Sequence, residues 1–83
     1  MIVNYEALRQ MRIEKRIPLQ EMAEALGLQT PGGYSRIEMG ENELKAKHLP
    51  PIAEKFGMDL NQLTEKIFEE KVEQTSTSER GVI

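Results

Sequence analysis

LQEMAEALGLQTPGGYSRIEMG, residues 19–40, contains two short amphipathic segments separated by a turn rich in proline and glycine. The apolar residues of the first segment recur at the spacing of one helix face. They are Leu19, Met22, Ala23 and Leu26. Gly27 ends this segment, because glycine reaches the left-handed cap conformation at no steric cost. The second segment begins near Pro31-Gly32-Gly33 and stops at Gly40. The stretch therefore predicts two short helices joined by a turn.

The spacing within residues 19–40 is that of a helix-turn-helix. Ala23 is small enough for two helices to cross closely, and Gly27, four residues later, makes the turn. Leu28 and Ile37 are placed to lock the second helix, which could then project into a DNA major groove. Helix pairs of many kinds use alanine and glycine in this way. The pattern alone leaves DNA binding and a purely structural helix pair equally open.

Three further helices are expected, at Tyr5–Lys15, Leu49–Phe56 and Leu60–Gln74. Asn4 and Asp59 are suitable N-caps for the first and last of them, since their side chains accept hydrogen bonds from free backbone amides. No segment of useful length alternates in the manner of a β-strand. We expect one domain, residues 1–73, and a tail, residues 74–83, that is too polar to fold alone and is disordered.

The composition limits the function classes. A chain of 83 residues supports one small core, and the sequence has neither a membrane-length apolar run nor a signal peptide, so a cytoplasmic protein is expected. It contains no cysteine, and its single histidine, His48, is expected at the surface or edge of the fourth helix rather than on a metal. No nucleophile-base pair, metal cluster or phosphate loop is present, so neither an enzyme nor a cofactor is predicted.

The net charge of −3 argues mildly against nucleic acid as a partner, but the charge is unevenly distributed. Residues 1–40 carry equal numbers of basic and acidic side chains, so the acidic excess lies after residue 40. A neutral first half and an acidic second half are compatible with one basic face on the first half.

From Leu8 to Leu63 the chain resembles the phage-repressor-like Cro/CI, or XRE, family of helix-turn-helix domains. The resemblance is carried by LRQMR, LQEMAEALGL, YSRIEMG and LPPIAEKFGMDLNQL. It implies an all-α fold, a compact five-helix bundle whose third helix is the recognition helix for double-stranded DNA. It also implies a buried ion pair between Arg12 and Glu38, and an inward-facing Tyr34.

The same resemblance suggests the DNA contacts. The residue two before the glutamate of the SRIE motif faces the groove in this family, so Arg36 is expected to read guanine, although it could instead contact phosphate or pair with an acid. Leu19 stands where many members carry a phosphate-contacting glutamine, which Gln20 could replace. The expected DNA-binding residues are Gln20, Thr30, Gly32, Ser35, Arg36, Lys45 and Lys47. Lys45 and Lys47 could also be ordinary solvated charges.

Two departures from the family pattern matter. One surplus residue falls at Pro31-Gly32-Gly33, where the glycines either let the helix approach DNA closely or merely absorb the insertion. Glu41 and Glu43 stand where a basic residue is frequent, and acid there repels phosphate.

The last predicted helix extends further than a minimal domain needs. Its apolar residues Ile67, Phe68 and Val72 are expected to form a dimer interface, with packing of Phe68 and Val72 onto their own core as the alternative. The sequence therefore predicts a repressor-like, sequence-specific transcriptional regulator. The alternative is a protein-interaction module, an antirepressor or adaptor, on the same fold.

Overall fold

The computed structural model describes residues 2–69, which form five α-helices and a two-residue strand pair. The helices are α1 (Tyr5–Glu14), α2 (Leu19–Ala25), α3 (Pro31–Glu38), α4 (Leu49–Phe56) and α5 (Leu60–Ile67), and the strands are β1 (Ile2–Val3) and β2 (Phe68–Glu69). A single 3₁₀ turn, Ala46–His48, precedes α4. The expected all-α, five-helix fold is confirmed. No helix within residues 2–69 is long and apolar enough to cross a membrane.

The helix starts follow from local side-chain caps. The Asn4 side chain accepts a hydrogen bond from the Ala7 amide at 3.0 Å, and Asp59 accepts one from the Gln62 amide at 2.8 Å. The Gln62 side chain returns a bond from the Asp59 amide at 3.0 Å, which completes a capping box. Both predicted N-caps are confirmed. They fix where α1 and α5 enter the bundle.

The end of α5 differs from the prediction. The helix stops at Ile67, and Phe68 is extended, with φ −107° and ψ 131°. Val3 pairs with Phe68 and Ile2 with Glu69 in an antiparallel ladder, while the Asn4 amide donates to the Ile67 carbonyl at 2.6 Å. The prediction that this helix continues through Phe68 was therefore wrong, because backbone pairing with the N-terminal segment overrides the local helix propensity of this run. The predicted helical residues 70–74 and the tail 74–83 lie outside the described residues.

The core lies between α1, α2, α4 and α5 and includes Tyr34 from the inner face of α3. Its largest fully buried side chains are Leu8, Met22, Tyr34, Ile52, Leu63 and Ile67. The inward position expected for Tyr34 is the observed one, but its hydroxyl has no hydrogen-bond partner among the described residues. Burial first, and then the Glu38 carboxylate, raise the pKa of this hydroxyl above its ordinary value. Tyr34 is therefore a core residue whose hydroxyl lies near the Glu38 carboxylate without a hydrogen bond of normal geometry.

The connection between α1 and α2 contains a backbone conformation that is rare for a side-chain-bearing residue. Arg16 has φ +59°. Its amide donates to the Ile13 carbonyl at 3.0 Å, and the Ile17 amide donates to the Arg12 carbonyl at 3.1 Å. This is the Schellman pattern of helix termination, with arginine at the position that glycine usually occupies. The turn directs the chain from α1 to the start of α2.

Candidate nucleic-acid interface

The turn between α2 and α3 sets the angle of the third helix. Gly27 has φ +75° and donates from its amide to the Glu24 carbonyl at 3.1 Å. The Leu28 amide reaches the Ala23 carbonyl at 2.8 Å, and Ala23 itself is 1% exposed. A larger residue at position 23 would separate the two helices. The small residues of the turn therefore hold α3 closely across α2.

The first turn of α3 shows where the third helix begins. The Thr30 hydroxyl oxygen accepts a hydrogen bond from the Gly33 amide at 3.1 Å, so Thr30 is the N-cap. Pro31 occupies the first helical position, where a missing amide costs nothing. Gly32 and Gly33 are the second and third helical residues. Pro31, Gly32 and Gly33 therefore form the first turn of α3 and are not part of the connection that precedes it.

Two neighbouring rows of side chains form the outer face of α3, and they contain most of the residues expected to bind bases. Gly32 and Arg36, four residues apart, are exposed, and Ser35 is half-buried on the adjacent row. A Cβ atom built on Gly32 would lie 4.0 Å from Arg36 Nη1, so the guanidinium extends back along the helix over this glycine. Met39 continues the face and is 60% exposed, although sequence analysis assigned it no role.

The C-terminal end of α3 is held in place by backbone contacts. The Arg36 carbonyl accepts hydrogen bonds from the amides of Glu41 at 2.8 Å and Asn42 at 3.1 Å. Gly40 has φ +81°, and a Cβ there would lie 3.2 Å from the Tyr5 ring. Glycine is therefore needed both for the backbone conformation and for the close approach of α1.

Arg12 and Glu38 connect α1 to the inner side of α3. Arg12 Nε lies 2.8 Å from Glu38 Oε2 and Nη2 lies 3.1 Å from Oε1, while Nη1 donates to the Ile17 carbonyl at 2.9 Å. Their side chains are 14% and 5% exposed. The hydrogen bond to Glu38 raises the pKa of Arg12, against the opposing effect of burial. The pair is a fixed structural connection behind the outer face of α3.

The remaining expected DNA contacts lie on two other segments. Gln20 is exposed on α2 and donates from Nε2 to Glu24 at 2.9 Å. Lys45 precedes the 3₁₀ turn and Lys47 lies within it; both are exposed and line a cleft with Gly33 of α3. The two lysines therefore lie beside the N-terminal half of α3. Gln20 lies on the preceding helix.

The cleft has a volume of about 460 Å³ and runs between α3 and the segment 42–48. Its lining includes Leu28, Gly33, Ile37, Lys45, Lys47 and His48. His48 is the N-cap residue of α4 and is only 7% exposed, so of its two expected positions the helix edge is the observed one and the surface is not. Its Nδ1 accepts a hydrogen bond from the Lys45 amide at 3.0 Å, which closes the 3₁₀ turn as a cap. Burial, together with Lys47 and Lys45, lowers the pKa of His48.

The residues expected at a dimer interface are only partly accessible. Ile67 is fully buried in the core of its own chain, so its assignment to an intermolecular surface is corrected. Phe68 is half-buried and packs against the same core. Val72 lies outside the described residues. Among residues 2–69, no group of three histidine, cysteine, aspartate or glutamate side chains is placed to hold a metal ion.

The arrangement of α2, the glycine turn and α3 is that of a helix-turn-helix domain, a class of DNA-binding regulatory domains. A family model described as Helix-turn-helix matches residues 8–63, and the chain belongs to this family, the XRE type with Cro/CI-like members. The match begins in α1 and ends in α5, so it includes both helices of the motif and the segment that carries Lys45 and Lys47. Comparison with curated proteins and with solved structures gave no significant match.

Proposed function

We propose that this protein is a sequence-specific, repressor-like transcriptional regulator that acts in the cytoplasm with α3 in the DNA major groove. The observation that carries the proposal is the position of Arg36 on the exposed face of α3, with its guanidinium over Gly32. Because Gly32 has no side chain, DNA can approach the helix there without meeting a Cβ atom. An arginine in this position can form two hydrogen bonds with O6 and N7 of a guanine.

The other contacts divide between phosphate and base edges. We assign Lys45 and Lys47 to the DNA backbone, since both are exposed beside the start of α3. Gln20 and Thr30 are proposed phosphate contacts at the starts of α2 and α3, and Ser35 can contact either phosphate or a base. Phosphate contacts of this kind orient a protein on DNA but do not read its sequence.

Met39 adds a contact that sequence analysis did not include. Its thioether side chain is 60% exposed at the C-terminal end of the outer face of α3. Apolar side chains in the major groove recognise the methyl group of thymine. We therefore propose that Met39 reads a thymine next to the guanine read by Arg36. A methionine directly after the SRIE motif is the sequence signal that could have indicated it.

We infer that the protein binds as a homodimer to two half-sites separated by about one DNA turn, roughly 34 Å. Ile67 takes no part in this interface, because it is buried in its own chain. Sedimentation of the protein with and without DNA measures the stoichiometry. Two inverted copies of one motif in the selected DNA support a dimer, whereas a single copy bound by one chain contradicts it.

The test begins with selection of bound sequences from a random duplex pool, followed by affinity measurements on the selected site and on a scrambled duplex. Phosphate contacts from Lys45 and Lys47 correspond to binding about 12-fold weaker at ~200 mM than at ~50 mM salt. Arg36→Ala is expected to reduce discrimination between the two duplexes by about 1–3 kcal/mol. Lys66→Ala is the matched control, because Lys66 is exposed on α5, which packs against α1 and α4.

One observation favours the alternative protein-interaction module. Glu41 and Glu43 are exposed directly after α3, where they repel DNA phosphate. No enrichment of any DNA sequence by the folded protein, at either salt concentration, would contradict DNA recognition and favour the alternative.

A further inference from the structure

The cleft between α3 and the segment 42–48 has a polar atom that the fold leaves unused. In His48, Nδ1 accepts a hydrogen bond from the Lys45 amide, so the neutral ring carries its proton on Nε2. This Nε2–H has no hydrogen-bond partner among the described residues and is not sealed from solvent. Although His48 as a residue is only 7% exposed, this donor is open to solvent and can reach a ligand. His48 therefore presents an unpaired donor in the wall of the cleft.

The rest of the cleft defines the ligand that this donor would fit. Leu28 and Ile37 supply apolar surface, while Lys45 and Lys47 supply two positive charges. Glu43, which also lines the cleft, offsets one of them and leaves one positive charge in excess. A volume of about 460 Å³ lies within the range of small-molecule sites.

We propose that this cleft binds a small organic carboxylate, with its carboxylate on His48 Nε2–H and a lysine ammonium, and its apolar body against Leu28 and Ile37. The single excess positive charge favours a monoanion over a dianion. The hydrogen bond from the Lys45 amide holds the imidazole in one orientation, so Nε2–H fixes the direction of the bound carboxylate. The lysine ammonium groups attract its negative charge. The apolar surface distinguishes an organic anion from an inorganic one.

Occupation of the cleft has a consequence for DNA binding that rests on the proposed function. Lys45 and Lys47 would serve both the carboxylate and the DNA backbone, so the two ligands would compete. A carboxylate would then act as an inducer. The binding proposal itself is independent of DNA and is tested in its absence, so failure of DNA recognition and failure of this proposal give different results.

The experiment uses the full chain labelled with ¹⁵N and follows the imidazole nitrogens by NMR, with benzoate as the probe. His48 is the single histidine, so its ring signals are unambiguous. Benzoate is expected to shift the Nε2 signal saturably in the millimolar range and to raise the pKa of His48, because a bound anion favours the charged ring. Benzyl alcohol, of similar size but uncharged, and inorganic phosphate are expected to bind at least about tenfold more weakly.

Two variants locate the site. The double variant Lys45→Ala/Lys47→Ala is expected to weaken benzoate binding at least about tenfold. The control variant Lys66→Ala, on α5, is expected to leave benzoate binding unchanged. Absence of a saturable Nε2 shift with benzoate in the folded protein would overturn the proposal. Binding of inorganic phosphate as tight as that of benzoate would also overturn it, by assigning the cleft to a phosphate group instead.

Discussion

The Arg12 guanidinium meets the Glu38 carboxylate through two parallel hydrogen bonds, Nε to Oε2 at 2.8 Å and Nη2 to Oε1 at 3.1 Å. The two residues lie on α1 and at the end of α3, so the pair fixes the recognition helix from behind. Because the charges are largely buried, removal of one leaves the other without compensation.

Replacement of Arg12 by methionine therefore has a large expected effect. Arg12→Met leaves the Glu38 carboxylate unpaired at 5% side-chain exposure and should lower the free energy of unfolding by about 3–5 kcal/mol. The double variant Arg12→Met/Glu38→Leu should recover most of the loss, since no buried charge remains. Urea denaturation measures all three proteins. A double variant no more stable than Arg12→Met would contradict an energetic coupling between the two residues.

Tyr34→Phe is expected to stabilise the protein. The substitution removes a buried hydroxyl that has no partner among the described residues, and it keeps the ring in the core. An unsatisfied buried polar group costs about 1–3 kcal/mol, so a gain of about 1 kcal/mol in the free energy of unfolding is expected. Tyr5→Phe is the matched control, because Tyr5 is only half-buried. A loss of stability in Tyr34→Phe would mean that the hydroxyl is hydrogen-bonded.

The two glycines of α3 are expected to differ in function while behaving alike in stability. A Cβ on Gly33 would meet Leu28 at 3.6 Å and one on Gly32 would meet Thr30 at 3.8 Å, both ordinary contacts. Each alanine variant should therefore gain about 0.5–1 kcal/mol in stability. DNA affinity should fall about tenfold in Gly32→Ala alone, because Gly32 faces outward. Equal affinities in the two variants would mean that the glycines only accommodate the inserted residue.

The stability of the protein should depend on pH through His48. Its pKa is lower in the folded protein than the ordinary value of 6.5, so the unfolded chain binds the proton more readily. The contribution of the neutral ring is fully present above about pH 6.5 and is lost as the pH falls through the lower folded-state pKa. In His48→Asn, the amide oxygen can still accept from the Lys45 amide but does not titrate. Denaturation between about pH 7.5 and 5.5 should show a smaller decrease in the variant, and equal decreases would contradict the assignment.

Arg16→Gly should stabilise the α1–α2 connection. Arg16 has φ +59°, a conformation that costs most residues about 1–2 kcal/mol and glycine nothing. Part of this gain is offset by the greater freedom of glycine in the unfolded chain, which leaves about 0.5–1 kcal/mol. Arg16→Ala keeps the backbone strain and should change stability little. No gain in Arg16→Gly would show that the arginine side chain makes compensating contacts.

Local chemistry accounts for what the sequence predicted correctly. Asn4 and Asp59 cap their helices, and Gly27 and Gly57 both have the positive φ of helix-ending glycines, because each signal acts within a few residues. These signals suffice for the number and order of the helices. They also place Arg36 on the outward side of α3.

Contacts between distant segments account for what the sequence did not predict. The end of α5 depends on pairing with residues 2 and 3, and no pattern within residues 60–74 contains that information. His48 is buried and its ring caps the preceding turn, a role that the presence of a single histidine in the sequence does not indicate. The DNA contacts stay predictions, since they depend on a surface that only the bound duplex completes.

The pairing of β1 with β2 joins backbone segments separated by almost the whole described length of the chain. Closing so long a loop costs conformational entropy, and the two-residue ladder forms few hydrogen bonds that could offset this cost. During folding, this ladder should therefore form after the helices have assembled. In the native protein, its amides should exchange with solvent through local opening, well before those of the buried helices.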